Sequence, residues 1–309
     1  MKRCIALGIL MTIGLVSLTV TAFQGQAPGL TAAALAATKI EKVKDNLYII
    51  TGSSDLDAFS GGNTAVFITE TGVVLVDTKL PGWGPRILEL VKTVTPKPVT
   101  TIINTHSHND HSGSNEFFPA TVDSVVQENT KTNMTGMEEF SKTKAKFLPK
   151  RTFKDKLSIG KGKDQVDLYY FGAGHTSGDA FIVFPALRTI HTGDMFAQKM
   201  LPLVDRMVGG SIVAYPQTLA KAAAGIRDVD TVIPGHRPVT TWNEFKEFGS
   251  FVQDFVNFAR TSMNAKKTVE QAAKEYKVPA QYKGYVVTIY PQLVSAQTLL
   301  QTAYEEMKK

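Results

Sequence analysis

Cysteine is almost missing from this chain: 309 residues hold one, Cys4. That excludes a disulfide framework, a zinc ribbon or a thiolate cluster, so any metal site or nucleophile must draw on His, Asp, Glu or Ser. Charge is sparse too. Charged residues make up 20% of the sequence and stand beside 17 phenylalanines, which is not the composition of a disordered polymer. No internal repeat, low-complexity linker or basic run interleaved with aromatics is present, which removes solenoids and the common nucleic-acid binders. The formal net charge is +6, and losing Lys2 and Arg3 with a leader takes it to +4. Much of the excess lies in residues 142–163, where Asp155 is the sole acid; the segment reads as a solvated surface.

What is there begins with an address. Met1-Lys2-Arg3 precedes the uncharged apolar run Ile5–Val20, and Val20-Thr21-Ala22 offers the small residues a signal peptidase needs. The run is short for a bilayer-spanning helix and is broken by Gly8, Thr12, Gly14 and Ser17, so it reads as a cleaved leader rather than an anchor. The expected leader is residues 1–22, with a cut as late as 37 near the Ala-rich stretch Thr31–Ala37. Either cut removes Cys4 and places the protein in the periplasm or outside the cell.

Beyond the leader, short β-rich runs alternate with helical segments. Strands are expected at Leu47–Thr51, Thr64–Thr69, Val73–Asp77, Val99–Asn104, Val166–Phe171, Ala180–Phe184, Thr189–His191 and Thr231–Ile233. Helices opened by proline are expected at Pro85–Val94 and Pro216–Ile226. After Pro238 the chain turns helical. Phe245, Phe248, Val252 and Phe255 form a stripe at spacings of three and four, which reads as core. Thr268 and Gln271 form a capping-box pattern, and Val294–Met307 reads as the last helix.

The informative stretch is Thr105-His106-Ser107-His108-Asn109-Asp110-His111, directly after an apolar strand. Side chains two apart on extended chain share a side, so His106 and His108 can grip one ion. A helix starting near Asp110 would turn Asp110 and His111 toward a second ion. Three further candidates, His175, Asp194 and His236, each follow a short strand through a glycine-containing turn. Together these seven residues use five of the six histidines.

Taken in order, Val-Val-Leu-Val-Asp77, the H-S-H-N-D-H run, G-H-T-S-G-D at His175, H-T-G-D at Asp194 and P-G-H at His236 resemble the five motifs of the metallo-β-lactamase superfamily. The resemblance spans roughly Asn46 to His236. It implies an α/β fold of the four-layer αββα sandwich type over residues 40–240, with extra C-terminal helices in residues 241–309. It also implies a ligand partition: His106, His108 and His175 for one metal, Asp110, His111 and His236 for a second, and Asp194 bridging. In the true β-lactamases the place of Asp194 is a Cys, or a Ser that is not a ligand, and three residues on stands a lysine that grips the substrate carboxylate. Here that place is Ala197. Glyoxalase II has Gly-Cys-Gly-Arg after its aspartate, where this chain reads Met195-Phe196-Ala197-Gln198-Lys199.

A neutral imidazole and carboxylate set suits two zinc ions, with iron or manganese as alternatives. A water shared between them becomes the nucleophile near neutral pH, with Asp110 and Asp194 orienting it or taking its proton. The expected activity is an exported hydrolase of an ester, thioester, lactone, β-lactam or phosphoester, with β-lactams at most a side activity. Its partner is a small-molecule substrate, with no nucleic acid and no membrane once the leader is gone; the oligomeric state is open. The rival readings are an iron-dependent oxidoreductase acting on a thiol or persulfide, and a metal-binding protein without turnover. Among weaker candidates, Asp77 reads as a hydrogen-bond acceptor fixing the metal loop and His191 as a core histidine. The loop Ser53–Gly62 could be a flap or a plain hairpin. Trp83 is a candidate for the pocket wall, and Lys199 and Arg206 for an anionic substrate group.

Overall fold

The computed structural model describes residues 30–53, 55–137, 140 and 145–308. The expected leader, with Cys4, lies outside them. One sheet comes from the first half of the chain. β1 (Ile40–Lys44), β2 (Leu47–Ile50), β3 (Thr64–Ile68) and β4 (Val73–Val76) form an antiparallel meander, and β5 (Val99–Ile103), β6 (Asp123–Gln127) and β7 (Arg151–Phe153) add to it in parallel. Parallel neighbours need crossovers, which α2 (Gly84–Lys92) supplies before β5 and α4 (Glu128–Gly136) before β7. The second sheet has β8 (Lys156–Ile159), β9 (Val166–Tyr169), β10 (Phe181–Phe184), β11 (Thr189–Gly193), β12 (Thr231–Pro234) and β13 (Thr240–Thr241) in order along the sheet. Its one parallel pair, β11 with β12, is bridged by α5 (Tyr215–Gly225).

The sheets lie face to face, and the period of two along each strand sorts the side chains into layers. Ala65 and Phe67 of β3 and Val74 and Val76 of β4 meet Leu168, Ile182 and Phe184 of the other sheet in the central layer. Phe67 and Phe184 touch across it with ring centroids 4.9 Å apart. The alternate residues Val66, Val73 and Leu75 face outward against Trp83, Ile87, Leu90 and Val91, while Phe181 and Val183 face α5 and the C-terminal helices. Strands buried on both faces therefore read as continuous apolar runs. The result is the expected αββα sandwich. Trp83, a candidate for the pocket wall, is 1% exposed and belongs to the outer layer beside α2.

The sequence reading lacks five strands and two helices, α4 among them; β6 lies inside the first sheet with only Val125 and Val126 apolar, and β13 spans two residues. β1, β7 and β8 sit at sheet edges and carry Lys42, Lys44, Arg151 and Lys156. Charge on an edge blocks strand-to-strand association and also erases the apolar signal by which a strand is recognised. The other helix is α1 (Ala32–Ala37), which is capped by the Thr31 side chain and buries Ala34 in the outer layer of the first sheet. A leader cut after 22 leaves this helix in place, whereas one after 37 removes it.

The stripe of phenylalanines packs inward. α6 (Trp242–Asn264) buries Phe245, Phe248, Phe251, Val252 and Phe255 against α5 and the second sheet, and α7 (Val269–Glu275) and α8 (Ala296–Met307) close over it. The Thr268–Gln271 capping box forms in both directions. Among the described residues no helix is long and apolar enough to cross a membrane. Because α6 shares one apolar cluster with β10 and β11, Phe251→Ala should lower the unfolding free energy of the whole protein by about 3–5 kcal/mol in a single transition. Urea titration followed by near- and far-UV circular dichroism checks this; loss of the C-terminal helices alone, ahead of the sandwich, would contradict it.

Candidate metal centre

All seven expected donors meet at one edge of the sandwich, where strands from both sheets end. His106 and His108 follow β5, and Asp110 and His111 lie on the single turn α3 (Asn109–Ser112), which His108 precedes in extended conformation. His175 follows β9, Asp194 follows β11 and His236 follows β12. The convergence leaves no room for side chains at two glycines. A Cβ on Gly235 would stand 1.9 Å from Asp194 Oδ1, and one on Gly62 would stand 2.3 Å from His111 Cε1.

The hydrogen bonds around the rings assign their tautomers. His111 Nδ1 donates to Asp77 Oδ2 at 2.7 Å. Asp77 also accepts from the Thr105 amide and the Thr105 hydroxyl, each at 2.8 Å. With its only proton given to Asp77, the Thr105 oxygen accepts from His106 Nδ1 at 3.0 Å. His175 Nδ1 donates to the Leu203 carbonyl at 2.8 Å, and His108 Nε2 to Asp205 Oδ2 at 2.9 Å. The outer nitrogen of each of these four rings is thus a donor, which leaves the inner nitrogen to take up a metal or a proton.

The inner ring nitrogens point at one another. His108 Nδ1 and His175 Nε2 are 2.8 Å apart, and His111 Nε2 and His236 Nε2 are 3.2 Å apart. Buried His106 Nε2 and Asp194 Oδ1 have no hydrogen-bond partner. One Asp194 oxygen lies 3.3 Å from both His111 Nε2 and His236 Nε2, and the other lies 3.6 Å from His175 Nε2. Three donor sets result, His106/His108/His175, Asp110/His111/His236 and a joining set His106/His111/Asp194, with the ligand atoms of each within 4.8 Å of one another. Inner nitrogens and carboxylate oxygens that converge in a buried site are suited to hold a cation, and imidazole with carboxylate is a donor set that fits a divalent metal such as zinc.

The electrostatics differ from ring to ring: burial opposes protonation of His108, but its hydrogen bond to Asp205 and the nearby Asp110 carboxylate outweigh it and raise its pKa. Burial and the neighbouring His111, His175 and His108 hold His106 well below its ordinary pKa; burial and His108 lower His175 to about 4. At His111 and His236 burial also opposes protonation, but the Asp110 and Asp194 carboxylates outweigh it, raising His111 well above the ordinary range and His236 to about 9. Against burial, these histidines keep Asp110 and Asp194 ionised below the usual carboxylate range. Without metal His111 and His236 therefore hold protons, which a metal must displace.

The remaining candidates fall into place. Asp77 is fully buried at φ +65°, a strained conformation held by the loop it supports. Buried His191 donates from Nε2 to Asn63 O and accepts the Gly193 amide at Nδ1, as a satisfied core histidine. Lys199 pairs with Glu244 at 2.8 Å and Arg206 with Glu305, away from the donors. Sequence reasoning missed Asp205 and Lys79. No spacing marks Asp205, which reaches His108 from 97 residues away. Lys79 is wholly buried, and its Nζ donates to Gly62 O at 2.8 Å.

The donors open onto a cleft of about 550 Å³, reached by Leu56 and Phe59 of the 53–62 loop, by Met200–Leu203, and by Tyr290 and Leu293. The Phe59 ring stacks on His236 with centroids 5.6 Å apart.

A family model described as the metallo-beta-lactamase superfamily matches residues 58–236, more than half of the chain. The chain belongs to the metallo-beta-lactamase superfamily. It is similar to a type 2 metallo-beta-lactamase of Elizabethkingia meningoseptica, 34% identical over 157 residues that cover 48% of this chain and 57% of that protein. It is also similar to the metallo-beta-lactamase IND-1 of Chryseobacterium indologenes, 25% identical over 63% of this chain and 80% of the relative. Among solved structures, a metallo-beta-lactamase from Pontibacter korlensis shares the fold with a TM-score of 0.60 at 21% identity, covering 70% of this chain and 99% of that one. In all three comparisons a sizeable part of this superfamily member lies outside the match.

Two predictions follow from the partners of the donors. Asp205→Asn removes the charge that orients His108, and should weaken zinc binding about 10–100-fold, measured by competitive titration against a chromogenic chelator; unchanged affinity would make Asp205 incidental. Burial lowers the Lys79 ammonium to about 7 from 10.5, with Asp110 and Asp77 pulling it back up. Its folded pKa lies below its unfolded one, so between these values the unfolded chain binds the extra proton and stability rises with pH. The unfolding free energy of wild type minus that of Lys79→Met should therefore climb by on the order of 1 kcal/mol per pH unit between pH 7 and 10, by urea titration. A flat difference would contradict it.

Proposed function

We propose that this chain is an exported binuclear zinc hydrolase that cleaves an ester, thioester, lactone, β-lactam or phosphoester. The observation that carries the proposal is the convergence of inner ring nitrogens and carboxylates, with His106, His108, His111 and His175 each locked by a donor bond on the outer side. His106, His108 and His175 would hold one ion and Asp110, His111 and His236 the other, with Asp194 facing both. When bound, such a pair of ions supplies a nucleophile from water at neutral pH and polarises the scissile carbonyl or phosphoryl oxygen.

The protein's own residues do the rest. Asp77 and Thr105 fix His106 and His111, Asp205 fixes His108, and the Leu203 carbonyl fixes His175. Asp110 is 22% exposed at its side chain and faces the cleft, which suits it to orient the attacking water and accept its proton. Phe59, stacked on His236, lines the cleft beside the donors. Export rests on the basic start and apolar run of residues 1–22. The full second donor set favours this reading over an oxidoreductase with a single iron.

The test is elemental analysis of protein purified without added metal. About two zinc ions per chain are expected, and chelation should abolish turnover that zinc restores. His236→Ala should retain less metal and fall to background on every substrate. About one iron per chain, with oxygen uptake on thiols, would overturn the proposal.

A further inference from the structure

The walls of the cleft speak to what enters it. Leu56, Phe59, Leu80, Met200, Leu201 and Leu293 supply large apolar side chains to its lining, and no described lining residue is a lysine or arginine. Its charged side chains are Asp110, Asp194 and Asp205 with the donor histidines. The basic residues nearby are committed elsewhere. Lys199 pairs with Glu244 and lies over the Tyr285 ring, and Arg237 pairs with Glu244 at 3.4 Å and lies over Phe196. Arg206 pairs with Glu305, and Lys79 is buried against the Gly62 carbonyl.

A second observation concerns the mouth. Leu56 and Leu293, both lining the cleft, are 42% and 47% exposed. Large aliphatic side chains that rim a pocket while facing water mark a surface that an apolar ligand covers. They come from separate parts of the chain, Leu56 from the short turn Leu56–Ala58 and Leu293 from the segment leading into α8, and both line this one cleft. A chain leaving the donors runs along apolar wall. A carboxylate placed away from the scissile bond would meet aspartates and aliphatic carbon, and lose its hydration without a cation to replace it.

Resting on the hydrolase reading, we infer that the substrate is an uncharged ester or lactone bearing an aliphatic chain, and that a carboxylate remote from the scissile bond is selected against. The zinc-loaded protein is assayed on nitrophenyl acetate, butyrate, hexanoate and octanoate, on γ-butyrolactone and γ-decalactone, and on the carboxylate-bearing lactam nitrocefin. kcat/KM should rise at least about tenfold from acetate to octanoate, since each buried methylene adds to binding, and nitrocefin should be the poorest of the set. Leu293→Glu should cut the octanoate-to-acetate ratio about tenfold. Ala197→Lys, which places a cation on the cleft wall, should raise nitrocefin turnover relative to octanoate. Calorimetry with 2-hexanone and 2-decanone gives a readout apart from turnover: the longer ketone should bind more tightly, with a more negative heat-capacity change. Ester turnover with a flat chain-length profile, or nitrocefin cleaved as fast as octanoate, overturns this inference and leaves the hydrolase standing. No turnover of any substrate by protein carrying two metals overturns the hydrolase, and this inference with it.

Discussion

The Asp77 carboxylate is the point on which the site hangs. It is completely buried, sits in a left-handed backbone conformation just past β4, and spends its oxygens on the Thr105 amide, the Thr105 hydroxyl and the His111 ring. Through Thr105 it also sets His106. One acceptor thus fixes the start of the histidine loop, the tautomer of a ring in each donor set and, through them, the direction of the inner nitrogens. A buried carboxylate is costly unless its hydrogen bonds are made, which is why its neighbours cannot rotate freely.

The sandwich determines the separation of the donors. Four of the seven come from the first sheet's loop after β5, and three come from loops of the second sheet after β9, β11 and β12. The distance between the two groups is therefore the distance between two packed sheets, held by contacts such as Phe67 on Phe184. Close packing resists small displacements, so the ligand atoms of each donor set lie within 4.8 Å of one another although each set draws on both sheets. Gly62 and Gly235 lie directly against His111 and Asp194, and any side chain there would push a donor aside.

The same packing that builds the centre gives the cleft its character. Phe248 of the C-terminal helix α6 reaches both the apolar cluster beneath the second sheet and the cleft, and Tyr290 and Leu293 precede α8. The helices after residue 240 thus form part of the wall above the donors as well as covering the sheet. Basic side chains in that region are drawn into ion pairs with Glu244 and Glu305, which leaves the cleft wall aliphatic and its charge acidic.

Much of this was legible in the sequence. Central strands such as β3, β4 and β10 are apolar on both faces and announce themselves, whereas β6, with Asp123, Ser124 and Gln127, and the edge strands β1, β7 and β8, with lysine and arginine, do not. The donor inventory was legible because metal chemistry demands particular residue types at particular strand ends, a local pattern that survives in one dimension. His106 and His108, two apart on extended chain, lie within one donor set as that spacing suggested. What the sequence could not express is which nitrogen of each ring faces inward. That depends on hydrogen bonds to Asp77, Leu203 and Asp205, which lie 34, 28 and 97 residues from the histidines they hold. The kinds of donor and their order along the chain belong to the sequence. Their orientation and separation, and the apolar cleft above them, belong to the tertiary structure, because they arise from contacts between segments that only folding brings together.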